Sequence, residues 1–363
     1  MSTEPTDNSS FRLDEIDPNS AVARAVGFRN QVMSADLVTR SDGWERGVRS
    51  VMLGNDRIAI EVVVDRGLDI ASARVHQVPI AWRSPTAIVA PWFVENSGFG
   101  PHRAFFGGLL TTCGYDHIGA PTERSTERFG YDARIAEILP MHGRASGTPA
   151  RLLGYGVRDT LTGPQAFVEG EVSQVAVFGE HVVLTRSITI DYGSSQVRVS
   201  DTVANRGYAS TPLALLYHLN VGWPVVSPDA RVIVPGTVVS GEGDPTTVRV
   251  PESGARERVW LHSPASGSDA LGTASVVNSH VDADIAAGMH VTWDTAGLPN
   301  IIQWEIANVA GHYAVALEPT TMRSVDGQFQ FPELLPDESF QTTLGIELLH
   351  GPAGSHFSQE VID

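Results

Sequence analysis

Cysteine is almost absent from this sequence, which has only Cys113 among its 363 residues. One thiol cannot form an intramolecular disulfide, so nothing in the sequence indicates an oxidising compartment. The first ten residues, MSTEPTDNSS, are polar and lack the apolar core of a signal peptide. No apolar run approaches the ~20 residues that a membrane-spanning helix needs. We therefore expect a cytoplasmic protein that has no membrane partner.

Positive charge is also scarce. The chain has 25 lysine and arginine residues against 42 aspartate and glutamate residues, which gives a formal net charge of −17. Nucleic acids and anionic membranes bind basic surfaces, so neither is an expected partner. A small neutral ligand such as a sugar is compatible with this charge. The oligomeric state stays open, with a homo-oligomer among the alternatives.

Long stretches of helical period are rare, whereas alternating runs and turn residues are frequent. The chain has 35 glycines and 22 prolines, which predict many turns. Residues 57–64 and 182–190 alternate as half-buried strands do, and residues 165–178 are expected to pair with the latter through a turn at 179–180. One short helix is expected within residues 34–48. We predict a disordered tail over residues 1–10 and a single all-β domain over residues 11–363.

A glycine-rich run, FFGGLLTTCGYDH, occupies residues 105–117. It lacks the Gly-Lys-Ser/Thr ending of a phosphate-binding loop, so we reject a nucleotide site. Its glycines instead predict a close backbone approach between sheets or to a ligand. The earlier segment 65–69, DRGLD, is typical of a charged hairpin tip.

Three polar residues stand out in otherwise apolar or glycine-containing segments. His142 precedes a glycine in a predicted loop, where an exposed histidine is the simpler interpretation. His218 ends a predicted strand, where a core histidine is an equal alternative. Glu318 follows an apolar run, and a buried carboxylate there is costly unless it is paired. Glu318 is then either a general base of raised pKa or the partner of an arginine.

Several segments together resemble aldose 1-epimerases (galactose mutarotases), and more specifically the DUF4432 proteins. The resemblance covers roughly residues 25–350. The segments that carry it are 64–70 (VDRGLDI), 107–114 (GGLLTTCG), His142-Gly143, Asn205 with Pro212, 217–222 (YHLNVG) and Leu317-Glu318-Pro319.

The resemblance implies a galactose mutarotase-like β-supersandwich of large antiparallel sheets, with a groove that binds a monosaccharide. A histidine similar to His218 acts as general acid on the ring oxygen, and a glutamate similar to Glu318 takes the proton of the anomeric hydroxyl. A histidine similar to His142 binds the sugar and stabilises developing charge. Planar donors, carboxylates and aromatic faces suit sugar recognition, and the remaining candidates are Asp65, Arg66, Arg83, His117, Asn220, Gln303 and Trp304.

Three functions remain open at this point. The first is a cofactor-free mutarotase that interconverts sugar anomers by acid/base ring opening. The second is an isomerase or lyase acting on a keto-sugar or modified sugar in the same groove, with or without a divalent metal. His142, His218 and Glu318 are the candidate ligands for such a metal, and His117 is a further one. The third is a carbohydrate-binding protein without turnover.

Overall fold

The computed structural model describes residues 29–265, 270–325, 328–355 and residue 357. The tail expected at residues 1–10 lies outside the described residues. No helix in the part of the chain described is long and apolar enough to cross a membrane. Short 3-10 helices occupy Arg29–Gln31, Gly43–Glu45, Pro91–Phe93, Gly100–Ala104, Glu127–Phe129 and Ala145–Gly147.

Most of the described chain forms short to medium β-strands. These are β1 (Ser34–Thr39), β2 (Arg49–Gly54), β3 (Ile58–Val63), β4 (Asp69–Val75), β5 (Val78–Pro79), β6 (Thr111–Cys113), β7 (Thr122–Ser125), β8 (Ala136–Leu139), β9 (Arg151–Thr160), β10 (Gly163–Val175), β11 (His181–Asp191), β12 (Gln196–Asn205), β13 (Thr211–Pro212), β14 (Leu216–Val221), β15 (Arg231–Ile233), β16 (Gly236–Ser240), β17 (Arg258–Pro264), β18 (Leu271–Asn278), β19 (Ile285–Asp294), β20 (Asn300–Ala307), β21 (Tyr313–Thr320), β22 (Arg323–Val325), β23 (Gln328–Gln330), β24 (Glu333–Leu334) and β25 (Ser339–Pro352).

Three large antiparallel sheets build the fold, which confirms the all-β prediction. One has eight strands in the order β15-β18-β19-β25-β12-β11-β10-β9, and a second has six in the order β16-β17-β20-β21-β14-β6. The third contains β1 to β5 in sequence order, and three two-stranded ribbons complete the architecture. The six-stranded sheet joins distant parts of the chain, since β6 and β16 lie at its two edges.

One apolar core draws residues from all three large sheets. Val62 of β3, Leu184 of β11 and Leu317 of β21 all belong to it and are fully buried. The predicted hairpin is confirmed, because β10 and β11 pair in antiparallel register from Gln165↔Asp191 to Val175↔His181. Alternation along these strands buries one row of side chains and leaves the other row polar and partly exposed.

The prediction of a short helix within residues 34–48 is wrong. The chain forms β1 there and pairs it with β2, with Leu37 opposite Val51. Gly43 and Gly47 then adopt left-handed backbone angles, with φ of +56° and +88°, which helices do not continue through. Cross-strand pairing with a neighbouring segment outweighs the weak local helical pattern.

A fully buried arginine connects the three sheets. Arg186 of β11 binds both carboxylate oxygens of Asp201, at 2.9 and 2.7 Å, and donates to the Thr112 hydroxyl at 2.8 Å. The same guanidinium lies 3.4 Å from Asp69 of β4. Tyr217 of β14 donates to Asp201 at 2.7 Å. These five side chains, the Arg186 network, therefore link the eight-stranded sheet to the other two.

Replacing Arg186 by methionine should destabilise the protein by about 3–5 kcal/mol, because Asp201 would be left as a buried carboxylate without its cation. Arg198→Met is the matched control, since Arg198 is exposed on the neighbouring strand and its loss should cost less than about 0.5 kcal/mol. Urea unfolding monitored by tryptophan fluorescence measures both. Equal midpoints for the two variants would contradict this role.

Candidate active site

The centre of the site is a direct contact between His218 and Glu318. His218 lies on β14 and Glu318 on the neighbouring β21, and their side chains project from the same face of the six-stranded sheet. Nε2 of His218 lies 3.1 Å from Oε1 of Glu318. The two residues are only 6% and 3% exposed. Among the described residues, His218 is the one basic partner within ion-pair distance of Glu318, so the expected alternative of an arginine partner does not occur.

Burial sets the protonation of this pair. It raises the pKa of Glu318 to about 8, with a smaller contribution from the negative charge of Glu257. Burial also lowers the pKa of His218 to about 3, helped by the neighbouring His142. A carboxyl group and an imidazole shifted in these directions hold one proton between them at neutral pH, and the low-dielectric surroundings favour the uncharged arrangement. Glu318 then carries the proton, and its carboxyl group lies 3.1 Å from Nε2 of His218.

Aromatic rings surround the His218 imidazole. The edges of Phe105, Trp304 and His142 meet it with ring centroids 5.3, 5.7 and 6.1 Å away. Trp82 closes the ring of contacts by packing against Trp304 at 5.9 Å and Phe105 at 6.0 Å. This apolar enclosure is the physical cause of the desolvation that shifts both pKa values of the pair.

His142 reaches the site from a loop with a left-handed turn. Its φ is +56° and that of Gly143 is +73°, and a side chain at position 143 would collide with backbone oxygens, including that of His117 at 2.7 Å. Nδ1 of His142 accepts a hydrogen bond from the Gly119 amide at 3.3 Å. Burial lowers the pKa of His142 to about 4, so the ring is neutral and Nε2 carries its hydrogen.

The glycine-rich run brings two sheets into close backbone contact, as the sequence predicted, and leads into β6, which pairs with β14. Gly107 and Gly108 have φ values of +71° and +85°, and a Cβ at Gly108 would lie 2.5 Å from the Ile70 carbonyl oxygen. Thr111 is then the register partner of His218. Only glycine permits this close approach, which sets the floor of the site.

A small cavity borders His142. Its volume is about 50 Å³, and it lies next to Phe105 under the segment 94–105. This volume is below the roughly 300–1,000 Å³ of most ligand pockets. Arg66 helps to hold the segment 94–105 in place. Its guanidinium donates to the carbonyls of Val89, Ala104 and Ser146 at 3.0, 3.0 and 2.6 Å.

Several residues predicted to bind sugar have other partners in the structure. Asp65 is buried and held by Arg49 at 2.6 Å, so its carboxylate is occupied and the segment is not an exposed hairpin tip. Arg66 serves the backbone contacts just described. Arg83 is exposed and lies 5.9 Å from the Phe106 ring. These three do not join the pair.

Two further candidates in the same set are also separated from the pair. Gln303 precedes Trp304 in β20, so the two side chains point to opposite faces. Gln303 binds His262 at 3.1 Å and the Pro245 carbonyl at 2.7 Å on the far side of the sheet. Its assignment to the pocket is therefore corrected. His117 lies near His142 but its Nε2 is paired with the Ala120 carbonyl at 2.8 Å.

Asn220 and Trp304 do lie at the site. Asn220 is fully buried on the same strand as His218, and its amide donates to the His218 carbonyl. Trp304 is half-buried and its Nε1 donates to Glu257 at 2.8 Å. Phe105 and Trp82 are site residues that the sequence reasoning missed. The aromatic pair at 105–106 was visible next to the glycine-rich run, whereas nothing in the sequence marked Trp82.

The metal-assisted alternative requires a cluster of ligand side chains. Over residues 29–265, 270–325 and 328–355, no group of three or more His, Cys, Asp or Glu side chains is arranged to hold a metal ion. His218 Nε2 and Glu318 Oε1 are engaged with each other, and these are atoms that a shared ion would need.

Comparison with known proteins places the chain among proteins of related fold. The profile of a family described as "Domain of unknown function (DUF4432)" matches residues 45–346. A search of curated proteins finds no significant relative. Two solved structures, from Klebsiella pneumoniae and Escherichia coli, are each described as a "putative aldose 1-epimerase". The first is 23% identical, with 87% of this chain and 83% of that chain covered and a TM-score of 0.76. The second is 12% identical, with coverages of 84% and 99% and a TM-score of 0.54.

A third structure, a galactose mutarotase-like protein from Clostridium acetobutylicum, is 12% identical. The match covers 89% of this chain and 100% of that chain, with a TM-score of 0.60. At these identities the likeness establishes a common fold, the galactose mutarotase-like arrangement of large antiparallel sheets. It confirms the expected fold class and leaves the chemistry to be argued from the site.

Glu318→Gln should become more stable relative to the wild type as pH rises from 5 to 8. In the unfolded chain Glu318 loses its proton near its ordinary pKa of 4.5, whereas the folded protein retains it to about 8. Between these values the folded state holds the Glu318 proton that the unfolded chain has lost, so the contribution of Glu318 to wild-type stability falls with rising pH. Glutamine does not titrate and escapes this loss.

Urea unfolding at a series of pH values measures the effect. Glu347→Gln, at a half-buried position on the eight-stranded sheet, is the control and should show no such trend. A constant stability difference between Glu318→Gln and wild type from pH 5 to 8 would mean that Glu318 is ionised in the folded protein.

Proposed function

Because the chain belongs to the DUF4432 family and has a galactose mutarotase-like fold, we propose that it is an isomerase that interconverts sugar anomers. The observation that carries this proposal is the 3.1 Å contact between a buried carboxyl group and a buried imidazole, Glu318 and His218. Such a pair supplies one acid and one base at the same place. Opening a pyranose ring needs both, because one proton leaves the anomeric hydroxyl while another reaches the ring oxygen.

The proposed opening step starts from the uncharged pair. Glu318 gives its proton to the ring oxygen as the bond between C1 and that oxygen breaks. Nε2 of His218 takes the proton of the anomeric hydroxyl, and the C1–O1 bond becomes a carbonyl. After rotation about C1–C2, the reverse transfers close the ring as either anomer.

This order of transfer reverses the roles that the sequence resemblance implies. There, the histidine is the acid and the glutamate the base. The raised pKa of Glu318 and the lowered pKa of His218 favour the opposite starting arrangement. The two descriptions therefore differ in the oxygen that each residue serves. Here Glu318 acts at the ring oxygen and His218 at the anomeric oxygen, in ring opening and in ring closure alike.

His142 and the aromatic rings are proposed to hold the sugar. With Nδ1 accepting from Gly119, the Nε2–H of His142 is free to donate to the anomeric oxygen, where negative charge develops. Trp304 and Phe105 offer apolar faces for the C–H surfaces of a pyranose. The ligand class that suits this enclosure is an uncharged sugar, and no step of the proposal needs a cofactor.

Anomer exchange measured by NMR magnetisation transfer tests the proposal. The panel should contain neutral aldoses, uronic acids and hexose phosphates, and the wild type should accelerate exchange of at least one neutral aldose. Glu318→Gln should lower kcat/KM for that sugar by roughly 10²–10⁴-fold, the usual contribution of one acid or base.

Glu347→Gln is again the matched control and should keep wild-type activity, because it lies on the eight-stranded sheet away from the pair. No acceleration of any sugar on the panel, or full activity in Glu318→Gln, would overturn the proposed function. Binding without exchange would instead favour a carbohydrate-binding protein.

A further inference from the structure

Asn220 is held rigidly next to the catalytic pair. It follows His218 by two residues in β14, so both side chains lie on the same face of the sheet. Its amide nitrogen donates to the carbonyl oxygens of Gly108, at 3.0 Å, and His218, at 2.9 Å. These two bonds use both amide hydrogens and fix which end of the side chain is oxygen.

Two complementary atoms remain unpaired on this face. Oδ1 of Asn220 is a buried acceptor and Nδ1 of His218 a buried ring nitrogen, and neither has a hydrogen-bonding partner in the described part of the chain. Buried polar atoms are nearly always paired in native proteins. The Asn220 side chain is also near enough to the imidazole to raise the pKa of His218 against the larger, opposite effect of burial. The two unpaired atoms are therefore complementary, since Oδ1 can accept a hydrogen carried by Nδ1.

We propose that Oδ1 of Asn220 accepts the Nδ1–H of His218 and so holds the imidazole in the tautomer whose Nε2 lone pair faces Glu318. Asn220 is then a positioning residue, because it acts on the reaction through His218. Its effect on turnover rests on the proposed function, whereas the tautomer itself does not. The proposal also replaces the expectation that Asn220 contacts sugar directly.

The alternative tautomer would remove the base from the pair and place two acceptors at the other end of the ring. With the hydrogen on Nε2, His218 would present a donor at the 3.1 Å contact with Glu318 and could not take a proton there. At the other end, the lone pair of Nδ1 would face the lone pairs of Asn220. His142 has the opposite arrangement, because its Nδ1 accepts the Gly119 amide hydrogen. His218 is thus assigned the role of base, and His142 the role of a neutral hydrogen-bond donor.

Nitrogen-15 NMR of protein labelled at histidine reads the tautomer directly. In the wild type at pH 7, the signals that disappear in His218→Gln should show Nδ1 as the protonated nitrogen and Nε2 as the unprotonated one. A protonated Nε2 with an unprotonated Nδ1 would overturn the proposal. This measurement needs no substrate and no variant of Asn220, so it holds even if no sugar is turned over.

Two substitutions separate positioning from a merely structural role. Asn220→Leu and Asn220→Asp both lose the amide hydrogens that bind Gly108 and His218, and only aspartate keeps an acceptor oxygen for Nδ1. Asn220→Leu should give mixed tautomers and lower kcat by roughly 10- to 100-fold, by analogy with groups that orient metal-binding histidines. KM should change little, because the loss falls on the chemical step.

Asn220→Asp should retain the Nδ1–H tautomer in the NMR spectrum. Its pH–rate profile should shift to higher pH, because the added carboxylate favours the imidazolium form. Equal spectra and equal kcat values for the two variants would show that Asn220 only supports the backbone. A wild type that shows the Nδ1–H tautomer but accelerates exchange of no sugar would count against the proposed function and leave the tautomer assignment standing.

Discussion

The buried guanidinium of Arg186 is the constraint on which the position of the site depends. It binds Asp201 within its own sheet and reaches Thr112 and Asp69 across the core. Thr112 lies on β6 between Thr111 and Cys113, which line the cavity beside His142. Tyr217 binds the same Asp201 and directly precedes His218 in the chain. Successive residues of a strand point to opposite faces. The network therefore holds β6 and β14 in place on their core face, and the opposite face of the same strands carries the site residues.

A buried ion network of this kind sets geometry more than it adds stability. Taking Arg186 and its carboxylates out of water costs much of what their mutual attraction returns. A slip of β14 by one residue would turn His218 into the core and Tyr217 towards the pocket. The network opposes that slip, because Tyr217 must reach Asp201 and Thr112 must reach both Asp69 and Arg186. Register and site geometry are thus specified together.

Much of the fold could be predicted from local patterns. Alternation in residues 182–190 predicted β11 and its pairing with β10, because a half-buried strand needs a two-residue period. The strand at Ser34–Thr39 was mistaken for helix, since its identity comes from pairing with β2 and from left-handed glycines at 43 and 47. Pairings between distant segments, such as β6 with β14, leave no periodic trace in the sequence.

The site was predictable only in part. His218 and Glu318 stood out as polar residues at the ends of apolar runs and His142 as a histidine in a glycine-containing loop, and the structure brings their side chains together. Asp65 and Arg66 stood out as part of a charged turn, yet their charges are met by Arg49 and by backbone carbonyls. A sequence shows that a buried charge needs a partner and does not show which partner the fold supplies. The facing direction of Gln303 depended on register in β20, which sequence patterns fix only to within a residue or two.

The one-proton state of the pair suits a reaction that runs in both directions at a single carbon. A permanent ion pair in this enclosure would need further hydrogen bonds to offset its desolvation, and His218 and Glu318 have aromatic neighbours instead. The uncharged pair avoids that cost at rest. In the proposed reaction it becomes an ion pair only after both transfers, while the open-chain sugar is bound, and reclosure returns the proton to Glu318 whichever face of the carbonyl is attacked. Enclosure by Phe105 and Trp304 suits that proposed chemistry, since burial of this kind favours a neutral resting state and makes the charged state transient.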